Sequence, residues 1–204
     1  MDEAYVDYVV GTPNAGIVND PQRHPRITED VIVEANEEGG ETNISSGWHA
    51  IEFLLWGQDR SKTGPGNRPV SDYTTAPNAR RRGQYLRLTA ERLHEDLAGV
   101  RDQWEKPAGA FRTAFVADPQ RAVRRILRGV GALSTSELAG ERMAVAFESA
   151  DQEDEHSCFS DNTNADVVND IEGIRNVYET EFRGWRGRAC ATCSPCATRS
   201  SPTG

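Results

Sequence analysis

Leu86, Leu93, Leu97, Val100 and Trp104 recur at helical spacing between residues 80 and 104. Nowhere do apolar and polar residues alternate over a sustained stretch. The first pattern is the stripe of an amphipathic helix, and the lack of the second argues against a half-buried sheet. Helices with one apolar face bury it against other helices, so the expected fold is all-α, with up-and-down bundle packing.

The rest of the chain supplies partners. A short helix is expected from Asp2 to Val10, and another from Thr28, a suitable N-cap, to about Asn36, with Gly39-Gly40 beyond it. Residues 11 to 25, with Pro13, Pro21 and Pro25, read as loop. A helix from about Asn43 to Trp56 stops at Gly57. Gln58 to Asn78 carries Gly64, Pro65, Gly66, Pro69 and Pro77 and reads as a long structured loop. Pro107 and Gly109 close the long helix. Asp118-Pro119 opens the next, with aspartate at the cap and proline in the first turn. Its stripe of Ile126, Val130 and Leu133 breaks around Gly131 and Ser134, then resumes from Leu138 to Phe147. An acidic loop, Asp151 to Asn162, leads to a final helix opened by Thr163 and Asp166, with Val167, Ile171, Ile174 and Tyr178 as its buried stripe. From Trp185 to Gly204 there is no Leu, Ile or Val, and the segment reads as a disordered Cys/Arg-rich tail.

Composition narrows the function. A net charge of −9 and a pI near 5.0 exclude nucleic acid as the main partner, which needs a basic face. No apolar run reaches the ~20 residues that span a bilayer, so no transmembrane segment is expected. Met1-Asp2-Glu3-Ala4-Tyr5 has neither the basic nor the apolar region of an export signal.

The chemistry concentrates in Gly47-Trp48-His49-Ala50-Ile51-Glu52-Phe53-Leu54-Leu55-Trp56-Gly57. Residues i and i+3 share a helix face, so His49 and Glu52 point the same way. Trp48, Ile51, Phe53, Leu54, Leu55 and Trp56 leave no polar side, so the helix is expected to be buried all round. A buried carboxylate must be paired, hydrogen-bonded or metal-bound. Two readings stand: a metal pair needing further ligands, or a core histidine bonded to a neighbouring carboxylate. His156 and Asp161, within Glu153 to Asn162, add imidazole and oxygen donors suited to iron, zinc or manganese; the plainer reading is a solvated acidic loop. Glu137 and Glu141 share a face and could ligate a metal inside a bundle; spacing alone favours an exposed charged face with Arg142. Cys190, Cys193 and Cys196 with Cys158 would supply four thiolates for an iron–sulfur cluster, although a frame-shifted terminus explains the tail's composition better. His24 reads as loop and His94 as helix surface.

Glu41 to Asp59 resembles the G-x-H-x-x-E signature segment of the imelysin-like proteins, also called iron-regulated protein A. Further blocks fit in the same order: GPGNRPVSDY from Gly64, RRGQYL from Arg81, LAGERM from Leu138, DEHSCFSDNT from Asp154 and GIRNVY from Gly173. The resemblance runs from about residue 2 to about 182. It implies two bundle-like helical halves, here one bundle plus part of a second. Residues 1–184 would then be an incomplete imelysin-like domain and 185–204 a tail. It also implies a bacterial cell-envelope or periplasmic protein of iron acquisition, with envelope iron-uptake partners. A divalent metal ion (iron or zinc) or an iron complex would be bound through His49 and Glu52. Gly47 belongs to the motif, and His156, Asp161 and Glu141 are further candidate ligands. The family's peptidase label implies the alternative of a metal-dependent peptidase; a gene fragment without function is the third. Members carry more chain on both sides, and a histidine where Asn164 stands here, so a false start near Met1 and a frame change near Gly184 are expected.

Overall fold

The computed structural model describes residues 1–105, 110–182 and 184–187, so the tail cysteines from Cys190 onward lie outside the described residues. The fold is all-α as expected, apart from a minimal antiparallel pairing of β1 (Glu181–Phe182) with β2 (Trp185–Arg186). The chain divides into two compact units. One is Met1–Gly109 with Ser157–Asp161; the other is Ala110–His156 with Asn162–Gly204.

The first unit sets five short helices and one long one around a single core. They are α1 (Glu3–Val6), α2 (Gly16–Asn19), α3 (Glu29–Ala35), α4 (Gly47–Trp56), α5 (Ser71–Thr74) and α6 (Ala79–Glu105). Thr28 caps α3 as its sequence suggested, its hydroxyl accepting from the Val31 N–H. Helix α6 is the spine. Its first turns bring Arg82, Tyr85 and Thr89 into the interior, where Tyr85 joins Val6, Val18, Ile27, Ile32, Phe53 and Leu54. Leu97, Val100 and Trp104 lie exposed, so the stripe expected to face the core does so only near its start.

Within that core sits an ion network that composition does not reveal. Asp7 is sealed from solvent and accepts from Arg68 Nη1 at 2.8 Å and from Arg82 Nε at 2.6 Å and Nη2 at 3.0 Å. Asp72 accepts from Arg68 at 3.1 Å and from the Tyr8 hydroxyl at 2.7 Å. Two guanidiniums and two carboxylates balance in charge, and the Arg68 guanidinium also lies 5.1 Å from the Phe53 ring centroid. Charges buried in this way are tolerable because they are paired and hydrogen-bonded. Asp7 thereby pins the N-terminal segment to the long loop and to α6.

The second unit contains α7 (Ala110–Ala117), α8 (Pro119–Ala132), a π-helical stretch (Leu133–Ala144), α9 (Val145–Ser149), a short 3-10 turn (Gln152–Asp154) and α10 (Thr163–Glu179). Asp118 caps α8 through the Arg121 N–H with Pro119 in the first turn, as expected. The break expected at Gly131 and Ser134 does not occur. Helical dihedrals persist at both junctions (Leu133 φ −60°, ψ −44°; Ala144 φ −66°, ψ −42°), so Pro119 to Ser149 is one uninterrupted run. The Ser134 and Thr135 hydroxyls donate to the carbonyls of Val130 and Gly131. Such back-bonding loosens a helix without ending it, and the run widens to π geometry there. The stripe assigned to the last helix is also corrected. No residue of α10 is buried, and Ile171 and Tyr178 are exposed. Its N-cap is Asn162 rather than Thr163.

Candidate functional site

The motif helix is shorter and drier on one side only. It begins at Gly47, not Asn43, because the preceding residues are held in turns. The Glu37 N–H bonds the Asn43 carbonyl, and Asn43 N–H that of Gly40. Ser45 Oγ donates to Ile32 O at 2.6 Å. Gly47 enters α4 at φ +85° with nothing near the place where a Cβ would sit. The motif glycine therefore serves the backbone, allowing a conformation that costs other residues about 1–2 kcal/mol. Ala50, Phe53 and Leu54 are buried, whereas Trp48 is 67% exposed and Leu55 is also exposed. The expectation of a helix buried all round fails because the unit's core covers a single face of it.

His49 and Glu52 do meet. His49 Nδ1 lies 3.2 Å from Glu52 Oε2, with the imidazole side chain 40% exposed and the carboxylate 12%. The other carboxylate oxygen is taken by the loop from residue 157 to 161: the Ser160 N–H donates to Oε1 at 2.9 Å and the Ser160 hydroxyl at 2.6 Å. Burial pushes the Glu52 carboxyl upward, but the hydrogen bonds from His49 and Ser160 outweigh it and hold it below its ordinary value. The loop is fixed further by Phe159, which is buried 5.2 Å from Phe53 between ring centroids, and by its carbonyl, which accepts from the Gly66 N–H at 2.9 Å. A side chain at Gly66 would start 2.6 Å from the Trp56 carbonyl oxygen, so only glycine permits this approach.

The other sequence candidates are divided between the two units. Asp161 follows Ser160 directly, exposed and in left-handed conformation at φ +54°. His156 and Glu141 belong to the second unit: His156 half-buried in its loop, Glu141 exposed on the π-helical stretch. Glu137 is exposed too and faces Arg142 at 3.9 Å, the plain charged-face arrangement. Among the described residues, no group of three or more His, Cys, Asp or Glu is placed to hold a metal ion. A resident centre needs at least three protein ligands, and the described donors do not fit one.

Two features escaped the sequence reading. Ser160, inside the DEHSCFSDNT block, bonds a residue 108 positions away, which no local pattern foretells. A cleft of about 300 Å³ opens at the end of α4, lined among others by Tyr8, Trp56, Gln58, Asp59 and Arg68. Only the glycines and prolines of the long loop hinted at it.

The family model described as imelysin, of peptidase family M75, matches residues 1–189. No curated protein matches the chain.

Proposed function

The chain belongs to the imelysin family, and from that premise we propose that it is a cell-envelope binding protein of iron acquisition whose cargo is iron already held by a chelator. No helix among the described residues is long and apolar enough to cross a membrane.

One observation carries the reading: the half-exposed His49 ring is held through Nδ1 by a carboxylate that Ser160 holds in turn. Ligating histidines characteristically give their second nitrogen to a carboxylate, which fixes the ring and raises its basicity. Glu52 in this role orients His49 rather than ligating beside it, and the half-exposed ring is what the site offers to the cargo. A chelated iron brings its own donors and needs only one or two from the protein. That is in keeping with a pair of donors, His49 and Glu52, beside which no group of three is found among the described residues. Asp161 is the adjacent carboxylate of the same loop, and His156 and Glu141 of the second unit remain candidates.

The peptidase reading asks for a free carboxylate to act as base on a bound water. Glu52 is engaged by three hydrogen bonds and stays ionised, so it is poorly suited to take up a proton. Chelator-sensitive peptide cleavage that stops in Glu52→Ala would reverse this ranking.

Ferric citrate and Zn²⁺, offered separately to the purified chain, test the proposal by the metal retained after gel filtration. Iron should be retained from ferric citrate and lost in His49→Ala. Glu52→Gln should weaken retention about 10- to 100-fold. No retained iron, or retention unaffected by His49→Ala, rejects the proposal. His49-dependent uptake of Zn²⁺ alone would point instead to a resident metal.

A further inference from the structure

The cleft of about 300 Å³ at the end of α4 has walls that the fold holds in place. The Arg68 N–H donates to the Trp56 carbonyl at 2.9 Å, which ties the long loop to the helix end. Gln58 is engaged at both ends of its amide. Its Oε1 accepts from the Val10 N–H at 2.8 Å, and its Nε2 donates to Glu3 at 2.6 Å. Trp56 packs against the core and also lines the cleft, beside Tyr8, Pro65 and Pro69. His49, Glu52 and Ser160 do not line it, so this is a second place from the one proposed to meet iron. A pre-formed apolar hollow with a few polar groups is the usual form of a small-molecule site, and its volume suits a ligand of one ring.

The polar lining narrows the ligand. Arg60 and Asn67 are exposed, and among the described residues neither has a hydrogen bond or ion pair with the protein. Asp59 is buried and accepts from the Ser61 N–H at 2.8 Å through one oxygen, and a carboxylate can accept several bonds more. Arg68 is buried with both terminal nitrogens bonded, yet its buried Nε has no partner. A buried donor of that kind calls for an acceptor.

A neutral oxygen suffices there. Asp7 and Asp72 already answer the charge of Arg68. With Arg82 and the lining residues Asp59 and Arg60 included, three guanidiniums stand against three carboxylates. An ion entering so balanced a hollow would lose its hydration without a net opposite charge in return. Donors (Arg60, Arg68, Asn67) and acceptors (Asp59, Asn67) stand together, and a hydroxyl, which donates and accepts at once, satisfies both kinds.

We propose that this cleft binds a neutral pyranose sugar, with one C–H face of the ring against Trp56 and its hydroxyls bonded by Asp59, Asn67 and Arg60. The indole face is the negative side of its quadrupole and attracts the weakly positive ring hydrogens.

Saturation-transfer difference NMR of the full chain tests this with glucose, galactose, mannose and N-acetylglucosamine, each as the free sugar and as its methyl glycoside. At least one should bind saturably, with the protons of one ring face receiving most of the transfer. A methyl glycoside that binds would identify a sugar borne on a chain; binding by free sugars alone would identify a free one. Asn67→Ala, at an exposed position with no bond to lose, should weaken binding about three- to tenfold, the worth of one hydrogen bond. Trp56→Ala should weaken it about tenfold, and Trp56→Phe, which keeps an aromatic face, by much less. Circular dichroism checks that the Trp56 variants are folded, and Asn67→Ala tests the proposal even if they are not. Absence of saturable binding by every sugar overturns the proposal, as does binding that is equal in the unaltered chain and in Asn67→Ala. Saturable binding of citrate and of none of the sugars would overturn it in favour of an organic anion.

Discussion

In the first unit, Val6, Val18, Ile27, Ile32, Phe53, Leu54 and Tyr85 are sealed from water; in the second, only Ala122 and Leu138 among the described apolar residues are buried. Both units are built from amphipathic helices of ordinary composition. The difference lies in partners. Short helices and a glycine- and proline-rich loop enclose the start of α6, and Asp7, Arg68, Arg82 and Asp72 tie them together. Around α8 and α10 no comparable set of elements closes among the described residues. A helix's apolar stripe states which face seeks cover; whether cover exists is decided by the rest of the chain.

The buried ion network is where this contrast is most easily broken. Asp7→Ala leaves Arg68 and Arg82 without their shared acceptor inside a dry core. That should cost about 3–5 kcal/mol, enough to unfold much of the first unit, and urea titration followed by tyrosine and tryptophan fluorescence measures it. Phe53→Ala, which empties a fully buried site beside Phe159, should cost a similar ~3–5 kcal/mol. A loss below about 1 kcal/mol for Asp7→Ala would mean that the network is not what closes this core.

Local signals are legible in this sequence, and long-range ones are not. The Thr28 cap, the Asp118-Pro119 start and the extent of α6 follow from residues within a turn of each boundary, where cap and breaker chemistry acts. The four-residue α2 has too few positions to show a period, so its sequence reads as loop. Asp7 and Arg82 are 75 positions apart, and nothing local announces their pairing. At the site, the facing of His49 and Glu52 came from helical spacing, whereas Ser160 came only from the fold. The helix faces at α4, α10 and the end of α6 are more exposed than their periodicity suggests, because periodicity reports amphipathicity and is silent on the partner.

Gly47→Ala tests the entry to α4. The backbone there is at φ +85° with open space around it, so the cost is conformational alone, about 1–2 kcal/mol. It should appear as a lower thermal midpoint with an unchanged spectrum for the folded state. A neutral effect would show that this turn relaxes freely, making the first unit less constrained than its core suggests.

Glu52 carries a pH signature. Its pKa in the folded chain lies below the ordinary 4.5, so the stabilisation that its charged form brings is complete above the unfolded value. It is lost as pH falls through the folded one. Relative to Glu52→Gln, the unaltered chain should therefore hold a constant advantage near neutrality that shrinks as the pH drops below about 4.5. Ser160→Ala should narrow the neutral-pH gap by about 1 kcal/mol. A gap that grows on acidification would reverse the sign and mean that burial, not the bonds from His49 and Ser160, governs this carboxylate.

The smallest effect belongs to the second unit, and there the comparison is sharpest. Val168 on α10 is well exposed, so Val168→Ala removes two methyl groups that water already reaches. The change should stay within about 0.5 kcal/mol, the range of surface substitutions. Val18→Ala, the same chemical change at a sealed position of the first unit, should cost several times more, through lost transfer energy and the cavity it leaves. Denaturant titrations of the two variants under one condition read the ratio directly. If Val168→Ala proved as costly as Val18→Ala, that face of α10 would be covered in solution, and the difference between the two units would lie in what binds the second rather than in how it folds.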